Sequence, residues 1–275
     1  MPTVRIAAVS DVHVSKTSQG ALAPVLAQAA EQADVLLLGG DLTDYGTLDE
    51  VRVLVKELAA VRLPIIAVLG NHDFESGTPE VVADALREAG VVVLDGESHE
   101  VHGVGFAGVK GFCGGFGRGV LGSWGEGAVK AFVQEAVHET LKLEGALARL
   151  RTPQKIALLH YAPIRATVEG EPVEIFPWLG CGRHEEPLVR YNVSAVFHGH
   201  AHKGSPEGRL SNGAPCYNVA LPLLRAHFPD QLPVRIIAVD PEQEAGADGI
   251  DGGLYHGPER RRPPVGVPAA NGSGD

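Results

Sequence analysis

Cysteine is scarce and unpatterned in this chain. Cys113, Cys181 and Cys216 are odd in number, far apart and without any Cys-x-x-Cys spacing. That argues against a disulfide framework or thiolate metal knuckle and reads as three free thiols in a reducing compartment. Positive charge is also short: 23 Lys and Arg face 34 Asp and Glu, for a formal net charge of -11. That balance argues against a nucleic-acid or anionic-membrane partner, which needs clustered cations; Arg260-Arg261-Arg262 is the only charge cluster, and it reads as part of a solvated tail rather than a docking peptide. A phosphorylated ligand stays open, because bound metal can reverse the local field. No apolar run approaches the ~18 residues of a membrane span. Met1 leads directly into a strand, with no basic stretch or apolar leader of a signal peptide. The expectation is a soluble, cytoplasmic protein with no membrane partner. Its oligomeric state is unknown.

What the chain does have is a repeated design. Short apolar runs, rich in β-branched residues, each stop at polar groups that a buried strand has no reason to carry. Val4–Val9 runs into Asp11 and His13, and Val35–Leu38 into Gly39-Gly40-Asp41. Leu63–Leu69 runs into Gly70-Asn71-His72-Asp73, Ile156–Leu159 into His160, and Ala195–Phe197 into His198-Gly199-His200-Ala201-His202. The C-terminal end of a parallel strand is where an open α/β sheet places its ligands.

Between these runs the pattern is helical. Ala21–Gln32 carries Leu22, Val25, Leu26 and Ala29 at helical spacing, which makes the first βαβ unit and requires a parallel sheet. Thr47-Leu48-Asp49-Glu50 has the form of a capping box, and Thr78-Pro79-Glu80 opens a helix that should close at Gly90. Val91–Leu94 reads as a strand and Glu100–Gly108 as antiparallel ribbon. Gly108–Gly127 is too glycine-rich for a regular element. It reads as a mobile loop, either closing over a pocket with its aromatics or lying on the ordinary surface. A long helix follows from Ala128 to Leu150, and the insert Tyr161–Gly182 reads as a wall of the pocket. Later runs near 195–198, 208–211, 215–219 and 234–239 suit antiparallel pairing at the sheet margin. The expected organisation is one domain over 1–240 and a disordered tail of low complexity over 241–275.

The strand-end groups are imidazoles, carboxylates and a carboxamide. That mixture suits Mn, Fe, Zn, Ni or Co and is too nitrogen-rich for a calcium cage. There are more of them than one ion can use. Two ions sharing a carboxylate, at roughly 3.5–4 Å, form the hydrolytic two-metal arrangement. These motifs, complete and in order over about 4–240, resemble those of the calcineurin-like metallophosphoesterase superfamily, in its bacterial small-molecule branch with class III cyclic-nucleotide phosphodiesterases. The resemblance implies an α/β four-layer α-β-β-α sandwich and two divalent or trivalent metal ions as cofactors. It implies that Asp11, His13 and His202 hold one ion, that Asn71, His160 and His200 hold the other, and that Asp41 bridges them. His72 would be catalytic, with Asp73 orienting its ring. The implied reaction is hydrolysis of a small phosphate mono- or diester by a metal-bridging hydroxide, with a small phosphorylated substrate as partner and no nucleic acid. A nuclease and a catalytically silent scaffold of the same fold are the competing readings. Asp44-Tyr45-Gly46 and Asp73 depart from the Asp-Arg-Gly and Glu of protein phosphatases, which disfavours that branch. His198 shares a face with His200 and His202 by period two, and is either a group behind the ligands or a core histidine.

Overall fold

The computed structural model describes residues 2–243 and 250–251. In chain order the strands are β1 Val4–Val9, β2 Val35–Gly39, β3 Ile65–Val68, β4 Val92–Val93, β5 Ser98–Val101 and β6 Val104–Val109. They continue as β7 Gln154–Leu159, β8 Ala195–His198, β9 Glu207–Arg209, β10 Pro215–Asn218, β11 Arg235–Val239 and β12 Ile250–Asp251. The helices are α1 Ala23–Gln32, α2 Leu48–Leu58, α3 Pro79–Glu88, α4 Gly127–Arg149, α5 Phe176–Leu179, α6 Glu185–Arg190 and α7 Leu221–His227. Two six-stranded sheets result, in the orders β12-β11-β1-β2-β3-β4 and β5-β6-β7-β8-β10-β9.

Alternation along buried strands sorts the side chains into layers. Ile6, Leu37 and Ile66 of the first sheet pack with Phe106, Leu158 and Phe197 of the second, and this seam joins the sheets face to face. The opposite faces of β1 to β3 carry Ala7, Leu36 and Ala67 into contact with Val25, Leu54 and Leu86 of α1, α2 and α3. Ala157, Leu159 and Val196 cover α4 through Leu143 and Leu147. The architecture is therefore helix, sheet, sheet, helix, as expected. Local signals act largely as read: Glu50 reaches back to accept Thr47 N–H (3.1 Å), the acidic half of a capping box at the start of α2, and Pro79 stands in the first turn of α3.

Two expectations change. β8 pairs in parallel with both β7 and β10, and antiparallel pairing is confined to β9 and to β11 in this part of the chain. The reason is the hairpin of β9 on the far side of β10, whose second reversal returns the chain to the direction of β8. The glycine-rich run is tied down. Gly114 N–H donates to the Pro177 carbonyl (2.7 Å), Gly115 N–H to that of Gly180 (2.9 Å), and Gly182 N–H to that of Gly115 (2.9 Å). The two inserts thus form one hydrogen-bonded unit. The stretch read as a tail lies mostly outside the described residues; of it, β12 pairs antiparallel with β11.

Candidate metal centre

The polar strand-end groups converge on one edge of the sandwich, and the backbone is bent to bring them there. Among the described residues, non-glycine positive φ occurs at Asp11 (55°), His13 (43°), Asp41 (49°), His102, Asn192 and His200 (68°). Four of these are expected ligands, and left-handed backbone at such residues is strain that surrounding structure must hold. The hold is visible: Asp11 N–H donates to the Gly40 carbonyl (2.9 Å) and His13 N–H to that of Asp41 (3.0 Å).

Donor atoms gather in two main groups. In one, Asp11, His13 and His202 each place a ligand atom within 4.8 Å of the others; in the second, Asp41, His160 and His200 do so. Asp41 touches both. Its Oδ2 lies 3.8 Å from His13 Nε2, and its Oδ1 lies 3.3 Å from His160 Nε2. Asn71 joins the second group through Oδ1, 2.9 Å from His160 Nε2. A further set, His13, Asp44 and His72, meets the same distance limit.

The tautomers follow from the backbone. His160 Nδ1–H donates to the Gly39 carbonyl (3.0 Å), so Nε2 is left as a lone pair. Burial pushes the His160 pKa well below its ordinary value, so the ring is neutral. Its Nε2 lone pair, the Asn71 oxygen and an Asp41 oxygen then face one another, a set that a proton on Asp41 relieves without metal and that a cation would satisfy in its place. His200 Nε2–H donates to the Trp178 carbonyl (3.2 Å), leaving Nδ1 for the site. His13 Nε2 is buried without a hydrogen-bond partner, and burial lowers the pKa of this ring too. Burial, reinforced by the Asp11 charge, raises the Asp41 pKa to about 9. Burial also works against the Asp11 carboxylate, but the hydrogen bond (2.9 Å) and the charge of His202 hold its pKa well below the usual range. The donor set fits divalent transition metals by chemistry, burial and the orphaned His13 nitrogen.

His72 stands beside the first group, its ring edge-on to that of His13 at 4.5 Å between centroids. Its Nδ1–H donates to the Asp44 backbone carbonyl (2.8 Å). Asp73 does not orient that ring, which corrects the role the resemblance implies. Its fully buried carboxylate instead accepts Leu42 N–H (3.2 Å), Thr43 N–H (2.9 Å), Thr43 Oγ1–H (2.7 Å) and Gly70 N–H (2.9 Å). Burial raises the Asp73 pKa, and these four donors counter it. It fixes the loops that carry Asp41 and Asn71. His198 is a core histidine behind the ligands: it is fully buried, bonded to Thr167 Oγ1 (2.7 Å) and the Gly199 carbonyl (2.8 Å).

Two neighbours were not singled out from sequence. The Tyr161 ring packs on His200 (4.5 Å) and His160 (5.4 Å). Lys110 ends β6 as the other site residues end theirs, and its Nζ lies 4.9–5.4 Å from the rings of Phe74, Phe112 and Tyr161. A polar residue closing the apolar run Val104–Val109 was the available signal for Lys110.

Comparison with known proteins agrees with this geometry. The family model for calcineurin-like phosphoesterases matches residues 4–204, and the chain belongs to that family. No curated protein matches it. Among solved structures it is similar to the phosphopantetheinyl hydrolase PptH of Mycobacterium tuberculosis, with 18% identity, TM-score 0.62, and coverage of 88% of this chain and 98% of that one. It is also similar to TT1561 of Thermus thermophilus, with 16% identity, TM-score 0.54, and coverage of 87% and 95%. GAP50, described as the anchor in the inner membrane complex of Plasmodium, shares 11% identity at TM-score 0.53 over 93% and 88%. At these identities the likeness is one of fold. Among the described residues, no helix is long and apolar enough to cross a membrane.

Proposed function

We propose that this chain is a dinuclear metal-dependent phosphoesterase that hydrolyses a small phosphate mono- or diester. The supporting observation is Asp41, which directs one carboxylate oxygen to each of two donor groups. Asp11, His13 and His202 would hold one ion, and Asn71, His160 and His200 the other, with Asp41 shared. When bound, the ions would polarise the phosphoryl oxygens and make a water nucleophilic at neutral pH. The chain's own contribution beyond ligation is His72. With Nδ1–H held by the Asp44 carbonyl, its Nε2 is the atom left to meet the substrate, carrying a proton for the leaving oxygen or a hydrogen bond for a phosphoryl oxygen.

The shared fold also carries a protein described as an anchor, so fold alone does not decide for catalysis. The intact donor set favours catalysis over a silent scaffold, and the acidic chain disfavours a nuclease. The test is to strip the protein with a chelator and add back Mn, Zn, Fe, Ni or Co singly. Hydrolysis of an activated aryl phosphate ester should return with at least one metal. A folded protein that none of them activates rules out the catalytic reading.

A further inference from the structure

The two inserts that bond to each other, with Arg183 and Glu185 just beyond them, line an open cavity of about 860 Å³. Its apolar wall includes Phe116, Ile164 and Phe176. Phe116 and Phe176 pack on a small cluster that contains Ala201, the residue between His200 and His202. Pro177 also lines the cavity, and the carbonyl of the next residue, Trp178, accepts the His200 Nε2–H (3.2 Å). The cavity therefore shares its wall with the metal centre.

Its charge runs against that of the chain. Arg118, Arg165 and Arg183 line it with Glu185 as the one carboxylate, in a protein of formal net charge -11. Glu185 Oε1 accepts Ser211 N–H (2.7 Å), and three guanidinium groups against its one carboxylate leave the lining net positive. Arg183 Nη2–H donates to the Leu121 carbonyl (2.9 Å), a neutral partner, and Arg183 has no carboxylate partner among the described residues. Arg165 lies 5.4 Å from the Phe176 ring centroid and 3.4 Å from an exposed Glu169 oxygen. Arg118 is exposed and has no carboxylate partner among the described residues. Guanidinium groups set around an apolar wall suit an anion delivered on an apolar arm, because each offers paired N–H donors to phosphate or carboxylate.

We propose that this cavity is a subsite of the metal centre, receiving a second anionic group carried on an apolar arm of the phosphoester. The inference rests on the phosphoesterase reading but is tested by binding, without turnover. Full-length, Mn-loaded protein is titrated calorimetrically with α,ω-alkanediol bisphosphates of increasing length and with the alkyl monophosphates of matching length. At one range of lengths the bisphosphate should bind roughly 10-fold more tightly, the worth of one charge-assisted contact. Arg118→Gln and Arg165→Gln should bring that ratio toward one. Equal affinities at every length overturn the subsite, as does a preference that both variants leave intact. A protein that binds neither ligand overturns it too. Lack of aryl phosphate hydrolysis alone would sink the phosphoesterase reading and leave the binding result to stand or fall by itself.

Discussion

At the scale of single residues, His72 and Asp73 are sequence neighbours with different employment. His72 is partly exposed and anchored by one backbone carbonyl, so removing its ring disturbs little else. His72→Ala should keep metal content and fold while lowering turnover by roughly 10²–10⁴, the worth of a positioned acid or base. The loss should be greatest for esters of poor leaving groups, which need the proton. Uniform losses would leave His72 as a clamp on phosphoryl oxygens, and loss of metal would make it a ligand. Asp73→Ala removes the acceptor of four buried donors. It should destabilise the fold by about 4 kcal/mol, seen as a lower melting temperature of the metal-free protein. An unchanged melting temperature would show that these bonds are replaceable. Residue types and order at the site were legible in the sequence, because apolar runs ending in imidazole and carboxylate have few bland explanations. The partner of His72 was not legible, since a backbone carbonyl leaves no mark on residue type.

At the scale of elements, close approach at strand ends is what the glycines permit. A Cβ on Gly70 would collide with Asp41 Oδ1 and stand 2.8 Å from His160 Cε1. One on Gly40 would lie 2.7 Å from His160 Nδ1, in a backbone at φ +90°. The strands thus deliver Asp41 and His160 into a space that only hydrogen can share. Gly70→Ala should therefore push Asp41 and His160 apart and weaken metal binding by roughly 10–100-fold, on the scale of losing a ligand-orienting contact. Metal analysis after dialysis, with circular dichroism as the check on folding, would decide it; full metal content would show that the loop yields instead. The strands and helices themselves were legible from period and caps. The parallel pairing of β8 with β10 was not, because the short β9 hairpin reverses the chain without a strong local pattern. Nor was the bonding of the two inserts, which joins residues more than 60 positions apart through backbone groups alone.

At the scale of the whole molecule, the loop after β6, α4 and the turn before α6 meet at His184, which is fully buried. Phe112 N–H donates to its Nε2 (3.0 Å), and its Nδ1 pairs with Thr140 Oγ1 (2.9 Å), whose hydroxyl bonds the Ala136 carbonyl (2.8 Å). That network needs a neutral ring with Nδ1 protonated. Burial is the main cause that pushes the His184 pKa down to about 4 from 6.5, countered only in part by the Phe112 carbonyl 3.2 Å from Nε2. The sign follows from proton counts: between these values the unfolded chain binds a proton that the folded chain refuses, so stability falls as pH falls. The contribution is fully present above pH 6.5 and lost by about pH 4, amounting to about 3 kcal/mol. For a protein of this size that is a drop in melting temperature of roughly 6–10 °C. Other buried histidines add to the same acid limb, so the melting profile of the wild type alone does not assign it. His184→Gln does: it should start less stable at pH 7.5 but lose less on acidification, so that the two profiles converge toward pH 4. Parallel profiles would show that His184 carries no proton linkage and that its neighbours, not its ring, set the acid response.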